Sequence, residues 1–241
     1  MKNLLKALLL LLLAVYLALA VTIFNNPEAP QLCTAVDVTV EDSAVAGFIT
    51  PSEIRALLRE VKAYPVGRKI KDVNCARIES ALSSNPFIDD ITCYKTQGGH
   101  VFVTVTQRLP VMRVISDNGE NYYIDTRGKI MPRMHYSADL AVATGCITQK
   151  YAHAKLLPLG RLLKYDKFWD SQIEQIHVDS AGNIELFPRI GSHTVYIGKP
   201  EALPQKLKRL KTFYSQVLNQ VGWNKYSRIN LEYDNQIICK K

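Results

Sequence analysis

The most apolar part of the chain is an unbroken run from Ala7 to Phe24, which follows Lys2 and Lys6. As a helix, its 18 residues rise about 27 Å, close to the roughly 30 Å hydrocarbon core of a bilayer. The run predicts a transmembrane anchor over residues 7–24. Residues 1–6 then form a cytoplasmic tail, because positively charged flanks stay inside.

A cleaved signal peptide is the alternative interpretation of this run. Ala18-Leu19-Ala20 has the small-x-small form of a cleavage site, after an apolar stretch of suitable length. Residues 1–20 would then be absent from a soluble periplasmic protein, either a ligand binder or an enzyme. Both interpretations place the body outside the cytoplasm, and composition does not separate them.

A small α+β unit is predicted after an extended, proline-containing stalk at residues 25–34. Alternating valines indicate a half-buried strand, and two helices with one apolar face each come next. Two more strands follow, joined at Gly98-Gly99 as a hairpin. The first strand has the apolar positions Val36, Val38 and Val40. The first helix has Ile54, Leu57, Leu58 and Val61, and the second helix has Cys75, Ile78 and Leu82. The last two strands cover residues 87–96 and 100–106.

Both helices of this unit have predicted start signals. Thr50-Pro51-Ser52-Glu53 combines an N-cap threonine, a proline at the first helical position and a glutamate three residues on, which forms a capping box. Asp72 is the predicted cap of the second helix, and Asn85-Pro86 ends it. The order strand, helix, helix, strand, strand predicts both helices on one face of a three-stranded sheet.

The rest of the chain predicts a larger, mostly antiparallel β domain with covering helices. Asn118-Gly119 lies between two strand-like segments, which is a strong hairpin signal. Leucines at steps of four and three predict a long helix over residues 203–221. The other predicted elements are strands at 111–116, 121–125, 173–178, 184–187, 194–197, 227–233 and 236–239, and a helix at 151–170.

The composition adds a formal charge of +8, from 30 basic and 22 acidic residues. Such a surplus can favour anionic partners, although a solvated basic surface is the simpler explanation. No zinc-finger spacing, RNP aromatic pattern or basic helical stripe is present, so no nucleic-acid partner is expected.

Catalysis is not expected either. The five histidines are scattered, and no GxSxG elbow, P-loop or GxGxxG is present, so we expect no cofactor and no enzyme activity. The five cysteines form no CxxC pair and no metal-ligand cluster. Cys75 and Cys93 can both point into the small core, either as two thiols or as a disulfide.

Five short segments, in this order along the chain, resemble the FtsQ/DivIB family of bacterial division proteins. Residues 85–88 (NPFI) are similar to a strand entry, residues 107–110 (QRLP) to the junction between domains, and residues 123–128 (YIDTRG) to a conserved turn. Gly198-Lys199 with the following Lys206, Leu210 and Phe213 resembles a fourth segment, and residues 230–235 (NLEYDN) a fifth.

The resemblance implies an α+β architecture with a POTRA domain (β-α-α-β-β) at residues 35–109 and a β domain at residues 110–241. It also implies an uncleaved single-pass type II anchor in the cell inner membrane, with the bulk of the chain in the periplasm at the division septum. The implied role is an essential divisome scaffold that links early and late division proteins. The implied partners are FtsB and FtsL, with FtsW, FtsI, FtsK and FtsN-like proteins as further divisome members.

The resemblance also implies where partners bind. A C-terminal edge strand can accept an added strand, so the implied contacts are Tyr233, Asn235, Gln236, Ile237, Ile238 and Cys239, with Lys199 at the flank. A packed tyrosine on a strand is an equally good interpretation of Tyr233. Thr50–Glu60 and Arg108 are candidate recruitment contacts of the first domain. Arg108 and Pro110 mark the inter-domain junction.

Two positions depart from the family pattern. Position 232 is Glu where arginine is usual, and position 236 is Gln where the last turn usually has glycine. The second departure predicts that Asp234-Asn235 supplies the positive φ of the turn, which asparagine tolerates.

Overall fold

The computed structural model describes residues 2–24, 31–41, 43, 47–133 and 139–241. Its first element, α1, is a helix over Lys2–Phe24. A search of the described residues finds no helix with the length and apolarity needed to cross a membrane. Most of the predicted stalk, residues 25–30, lies outside the described residues. Its last residues, 31–34, are hydrogen-bonded to the first domain, so the stalk prediction extends too far in this direction.

The first domain has the predicted order of elements and one three-stranded sheet. The strand β3 is central, pairing parallel with β1 and antiparallel with β2. The elements are β1 Ala35–Val40, α2 Pro51–Glu60, a 3₁₀ turn at Ile70–Asp72, α3 Cys75–Ser83, β2 Ile88–Lys95 and β3 His100–Gln107.

The start of α2 is as predicted, and the start of α3 is not. Thr50 accepts a hydrogen bond from the backbone N–H of Glu53, whose carboxylate accepts one from the N–H of Thr50, which completes the capping box. The cap of α3 is Asn74, whose side chain accepts from the N–H of Arg77. Asp72 was therefore the wrong cap, because the chain first makes a 3₁₀ turn that ends at Asp72.

The core of this domain comes from the predicted faces. Ile54 and Leu58 of α2 are fully buried, and β1 alternates as its three valines predict. Val61 is exposed instead of buried, because α2 ends at Glu60. Cys75 and Cys93 are both free thiols, and burial, with a smaller contribution from the neighbouring Cys75, raises the pKa of Cys93.

The second domain is built on one nine-stranded sheet. Five of its eight strand pairs are antiparallel and three are parallel, so the sheet is mixed. The spatial order is β12-β11-β10-β9-β8-β7-β4-β5-β6. The strands are β4 Pro110–Ser116, β5 Asn121–Asp125, β6 Ile130–Pro132, β7 Val142–Gly145, β8 Ile173–Val178, β9 Ile184–Pro188, β10 Thr194–Gly198, β11 Arg228–Asn230 and β12 Ile238–Lys240.

Two of these strands were not predicted. β7 lies between β4 and β8 and pairs parallel with both. It has four residues and includes Ala143 and Gly145, so its pattern contains too few apolar positions to indicate a strand. β6 has three residues and forms the edge of the sheet opposite β12.

The predicted helix over residues 151–170 is a series of shorter helices. It starts at α4 Gln149–Tyr151, passes through a π-helical turn at Ala152–Leu156 and continues as α5 Leu157–Tyr165 and α6 Lys167–Gln172. Pro158 lies in the first turn of α5, where its missing N–H is tolerated. Gly160 lies inside α5, and a Cβ there would meet the Met112 side chain at 2.4 Å. Glycine therefore permits close packing of α5 on β4.

The predicted long helix consists of α7 Leu203–Phe213, a π-helical turn at Tyr214–Leu218 and the short α8 Asn219–Val221. Its buried leucines belong to the same core as the strands. Tyr214 packs against Trp169 and Trp223 and shares a 2.9 Å hydrogen bond with Nε2 of the buried His193. Burial lowers the pKa of His193, so this histidine is held neutral.

Candidate partner-binding site

The last strand of the chain lies at the edge of the large sheet. β12 pairs antiparallel with β11, with Ile229 opposite Cys239 and Asn230 opposite Ile238. On its other side, β12 pairs with no strand in the described part of the chain. An edge strand of this kind presents backbone N–H and C=O groups to which another strand can pair.

The loop between β11 and β12, residues 231–237, is longer than predicted. The predicted strand 227–233 ends at Asn230, and the predicted strand 236–239 begins only at Ile238. Gln236 and Ile237 are thus loop residues, and Ile238 and Cys239 are strand residues. Asn235 has φ +59°, so it supplies the positive φ that its turn position predicts.

Arg209 of α7 holds this loop in place. Its guanidinium donates to the backbone carbonyls of Leu231 at 3.1 Å, Tyr233 at 2.8 Å and Gln236 at 3.4 Å. Three bonds from one charged group fix the path of a loop that has little regular structure of its own. Arg209 was not predicted from the sequence, although its position three residues after Lys206 places both side chains on one face of the helix.

The side chains predicted to bind a partner are mostly exposed. Tyr233 is 49% exposed and Ile238 is 48% exposed, and Asn235 and Gln236 are exposed as well. Tyr233 lies outside β11, so the interpretation as a packed strand tyrosine was wrong. Ile237, in contrast, is half-buried and packs against the core, as does Cys239.

Lys199 lies at the flank of this region, directly after β10. It is exposed, and its ammonium group donates to the carbonyl of Ala181 in the turn between β8 and β9. The loop contacts the neighbouring Gly198, where a Cβ would lie 3.3 Å from Cβ of Glu232. Glu232, the departure from the family pattern, therefore lies next to Lys199 on the same edge of the domain.

Lys206 is a buried cation beneath this region. Its ammonium group donates to the carbonyls of Ile197 at 2.7 Å and Lys199 at 3.1 Å. Burial, and secondarily the charge of Arg209, lowers its pKa. Lys206 therefore joins α7 to the end of β10, and Arg209 joins α7 to the following loop.

An open groove of about 820 Å³ runs between α7 and this loop. Its wall combines apolar and charged side chains, including Phe213, Val217 and Ile237 with Lys208 and Asp234. The lining of the groove ends at Ile237, the residue directly before β12, so the groove is adjacent to the edge strand.

The residues predicted at the domain junction are buried and paired. The Arg108 guanidinium donates to the Asp125 carboxylate at 2.6 Å, to the carbonyl of Pro86 at 3.1 Å and to that of Ile88 at 2.8 Å. Asp89 lies 3.1 Å from the same guanidinium. Arg108 thereby connects the start of β2 with the turn after β5, and its burial excludes it as a recruitment contact.

Asp125 has a second role in that turn. Its other carboxylate oxygen accepts from the backbone N–H of Arg127 at 2.8 Å and of Lys129 at 2.7 Å. These backbone hydrogen bonds agree with the position of Asp125 in the turn segment at residues 123–128. The ion pair of Asp125 with Arg108 is a further contact, which the sequence did not predict. Pro110 begins β4 opposite Asp125, so the junction and the large sheet are continuous.

The candidate recruitment contacts at Thr50–Glu60 include the side chains of Thr50 and Glu53, which already form the hydrogen bonds of the helix cap.

Among the described residues, no group of three or more His, Cys, Asp or Glu side chains is arranged to hold a metal ion. Asp89 and Asp90 are neighbours on β2, and Asp90 is exposed whereas Asp89 pairs with Arg108.

Comparison with known proteins identifies both domains. Residues 109–240 match the family model described as FtsQ/DivIB, C-terminal related, and residues 31–106 match a POTRA-like domain. The chain is 24% identical to the cell division protein FtsQ of Geobacter sp. (strain M21) over 187 residues, 73% of this chain and 66% of that protein. It is 26% identical to the cell division protein FtsQ of Salinibacter ruber (strain DSM 13855 / M31) over 226 residues, 85% of this chain and 83% of that protein.

Proposed function

This chain belongs to the FtsQ/DivIB family of cell-division proteins, and from that premise we propose that it is a membrane-anchored divisome scaffold. In this proposal the apolar run of residues 7–24 is a single-pass type II anchor in the inner membrane, an assignment that rests on its sequence and on the family and not on the described helix, and both domains lie in the periplasm at the division septum. Its output is protein–protein binding that links early and late division proteins. We assign it no catalytic step.

We propose FtsB as the partner that adds a strand to β12, with FtsL bound alongside FtsB. The observation that carries this proposal is the free edge of β12 next to exposed Tyr233 and Ile238. In strand addition, the main chain supplies affinity and alternate side chains supply specificity. Tyr233 is suited to be a hot spot, because an aromatic ring buries a large area with few rotatable bonds.

Preorganisation of the loop supports the same assignment. A loop that must be ordered during binding reduces the affinity by the cost of ordering it. Here Arg209 has already fixed the carbonyls of Leu231, Tyr233 and Gln236, so the edge is presented in one conformation. FtsW, FtsI, FtsK and FtsN-like proteins are proposed as further members of the assembly.

Photo-crosslinking in living cells tests this assignment. A photoreactive amino acid replaces Ile238 on β12, and a matched variant carries it at Ile130 on β6. Both isoleucines are exposed, at 48% and 39%, and they lie on opposite edges of one sheet. We expect a crosslink to FtsB from position 238 and none from position 130. Equal crosslinking from both edges, or from neither, contradicts strand addition at β12.

A further inference from the structure

A basic loop, residues 62–71, connects α2 to α3 in the first domain. Four of its side chains are cationic and exposed: Lys62, Arg68, Lys69 and Lys71. Val66, at the middle of the loop, is an exposed apolar residue. Asp72 follows the loop directly and is the nearest acidic residue in sequence, so residues 62–72 keep a net charge of +3 from four cations and one anion.

The basic loop has a fixed shape. Lys95 of β2 donates from its ammonium group to the carbonyls of Ile70 at 3.0 Å, Lys71 at 3.3 Å and Val73 at 3.0 Å. Arg68 donates to the carbonyl of Lys62 at 2.8 Å, which closes the loop at its other end. The backbone that carries the cationic side chains is therefore fixed, and Lys95 adds a fifth positive charge next to the loop.

The same loop receives the chain as it enters the domain. The Ile70 N–H donates to the Gln31 carbonyl at 2.7 Å, and the Cys33 N–H donates to the Arg68 carbonyl at 2.7 Å. Leu32 and Lys69 form an antiparallel bridge between these segments. Residues 31–33 are thus attached to the basic loop itself, and Leu32 is a second exposed apolar residue there.

Chain length then limits how far the basic loop can lie from α1. The helix ends at Phe24, and Gln31 is already attached to the loop. Seven residue steps, each about 3.3–3.6 Å when fully extended, span at most about 25 Å. If residues 7–24 cross the membrane, the basic loop is held within this reach of the bilayer surface, together with the Gly98-Gly99 turn that also contacts residues 31–34.

We propose that the basic loop binds anionic phospholipid headgroups at the membrane surface where α1 emerges, an inference that rests on the proposed anchor. Lysine and arginine side chains near an anionic surface are attracted to it, and the attraction falls off within a Debye length of about 8 Å. Val66 and Leu32 lie among the charges and can enter the interface between headgroups and acyl chains. This contact sets the orientation of the first domain on the membrane.

Fluorescence quenching in lipid nanodiscs tests this proposal with the full chain. A Val66→Trp variant places an indole on the basic loop, and a Val221→Trp variant places one on an exposed valine of the second domain. The native Trp169 and Trp223 both lie in the second domain, so they contribute the same background to both variants. The discs contain a lipid with a nitroxide headgroup, in phosphatidylcholine alone or with 30% phosphatidylglycerol.

We expect phosphatidylglycerol to increase quenching of the Val66→Trp variant and to leave the Val221→Trp variant unchanged. Adding Lys62→Gln, Lys69→Gln and Lys71→Gln should lower the ratio of membrane-bound to membrane-free loop by about fivefold per lysine, from about 1 kcal/mol each. The matched control changes the exposed Lys150, Lys155 and Lys167 of the second domain to Gln and should retain the quenching. Salt at 0.5 M should reduce it, because screening shortens the electrostatic range.

The outcomes separate the two proposals. A full chain that does not incorporate into discs overturns the proposed anchor. Incorporation with quenching that is independent of phosphatidylglycerol, or unchanged in the triple lysine variant, overturns the loop assignment alone. A third outcome is that polyglutamate changes the fluorescence of the Val66→Trp variant in phosphatidylcholine discs while phosphatidylglycerol does not increase its quenching. That result identifies an acidic protein segment as the ligand of the basic loop and also overturns the lipid assignment.

Discussion

The buried ion pair at the domain junction provides a quantitative test of the fold. In the Asp125→Ala variant, the Arg108 guanidinium loses its closest acceptor, at 2.6 Å, while both side chains are almost fully buried. Removing one partner of a buried pair typically costs about 3–5 kcal/mol. Asp89 and two backbone carbonyls still contact Arg108, which favours the lower end of that range.

A second contribution comes from the turn after β5. Asp125→Ala also removes the acceptor for the N–H groups of Arg127 and Lys129, each worth about 1 kcal/mol. Asp125→Asn keeps an oxygen that can accept these bonds and loses the charge. We therefore expect a loss of about 5 kcal/mol for Asp125→Ala and about 3 kcal/mol for Asp125→Asn.

Urea unfolding of the full chain in detergent measures these differences. Both tryptophans of the chain belong to the second domain, so their fluorescence reports the unfolding of that domain. The control is Asp90→Ala, which removes an exposed aspartate two residues into β2 and should change stability by less than about 0.5 kcal/mol. Equal stability of Asp125→Ala and Asp90→Ala would refute the reasoning.

Three further predictions concern the binding loop, a buried base and the cysteines. Arg209→Met should weaken binding to FtsB about 5–30-fold, or about 1–2 kcal/mol, because the loop must then be ordered on binding, and Lys155→Met, at an exposed lysine outside the groove, should not. The free energy of unfolding should fall as the pH drops below about 6.5, by up to about 1.4 kcal/mol per pH unit. Burial lowers the pKa of His193 in the folded protein, and unfolding returns it to its ordinary value, so the unfolded chain binds one more proton. In denaturant curves between pH 7 and 5, His193→Gln should reduce this slope, and an unchanged slope would exclude His193 as its source. Alkylation in denaturant without reductant, followed by mass measurement, should modify all five cysteines. Three modifications would show one disulfide, and peptide mapping would then show whether it joins Cys75 and Cys93.

Much of the first domain could be predicted because its signals are local. The capping box uses residues within one turn, and the alternating valines of β1 and β3 are read directly from the sequence. The prediction of Asp72 as the N-cap of α3 used only local signals as well, and it was wrong. Asp72 ends a 3₁₀ turn, and α3 is capped by Asn74. Local chemistry also predicted the positive φ of Asn235.

The features that were missed depend on distant contacts. β7 is short and becomes a strand because β4 and β8 pair with it on both sides. Arg209 binds carbonyl groups 22 to 27 residues further along the chain, and carbonyl groups have no sequence signature. Arg108 appeared in a recognisable junction segment, but its pairing with Asp125 requires the two domains to be folded together.

Conditional depletion of this protein in its native cells, followed by microscopy of cell length, tests the central claim most directly. A divisome scaffold predicts long filaments with segregated nucleoids, because growth and chromosome separation continue while septation stops. Expression of the wild-type chain should restore division. Normal cell length after verified depletion would contradict a role in division.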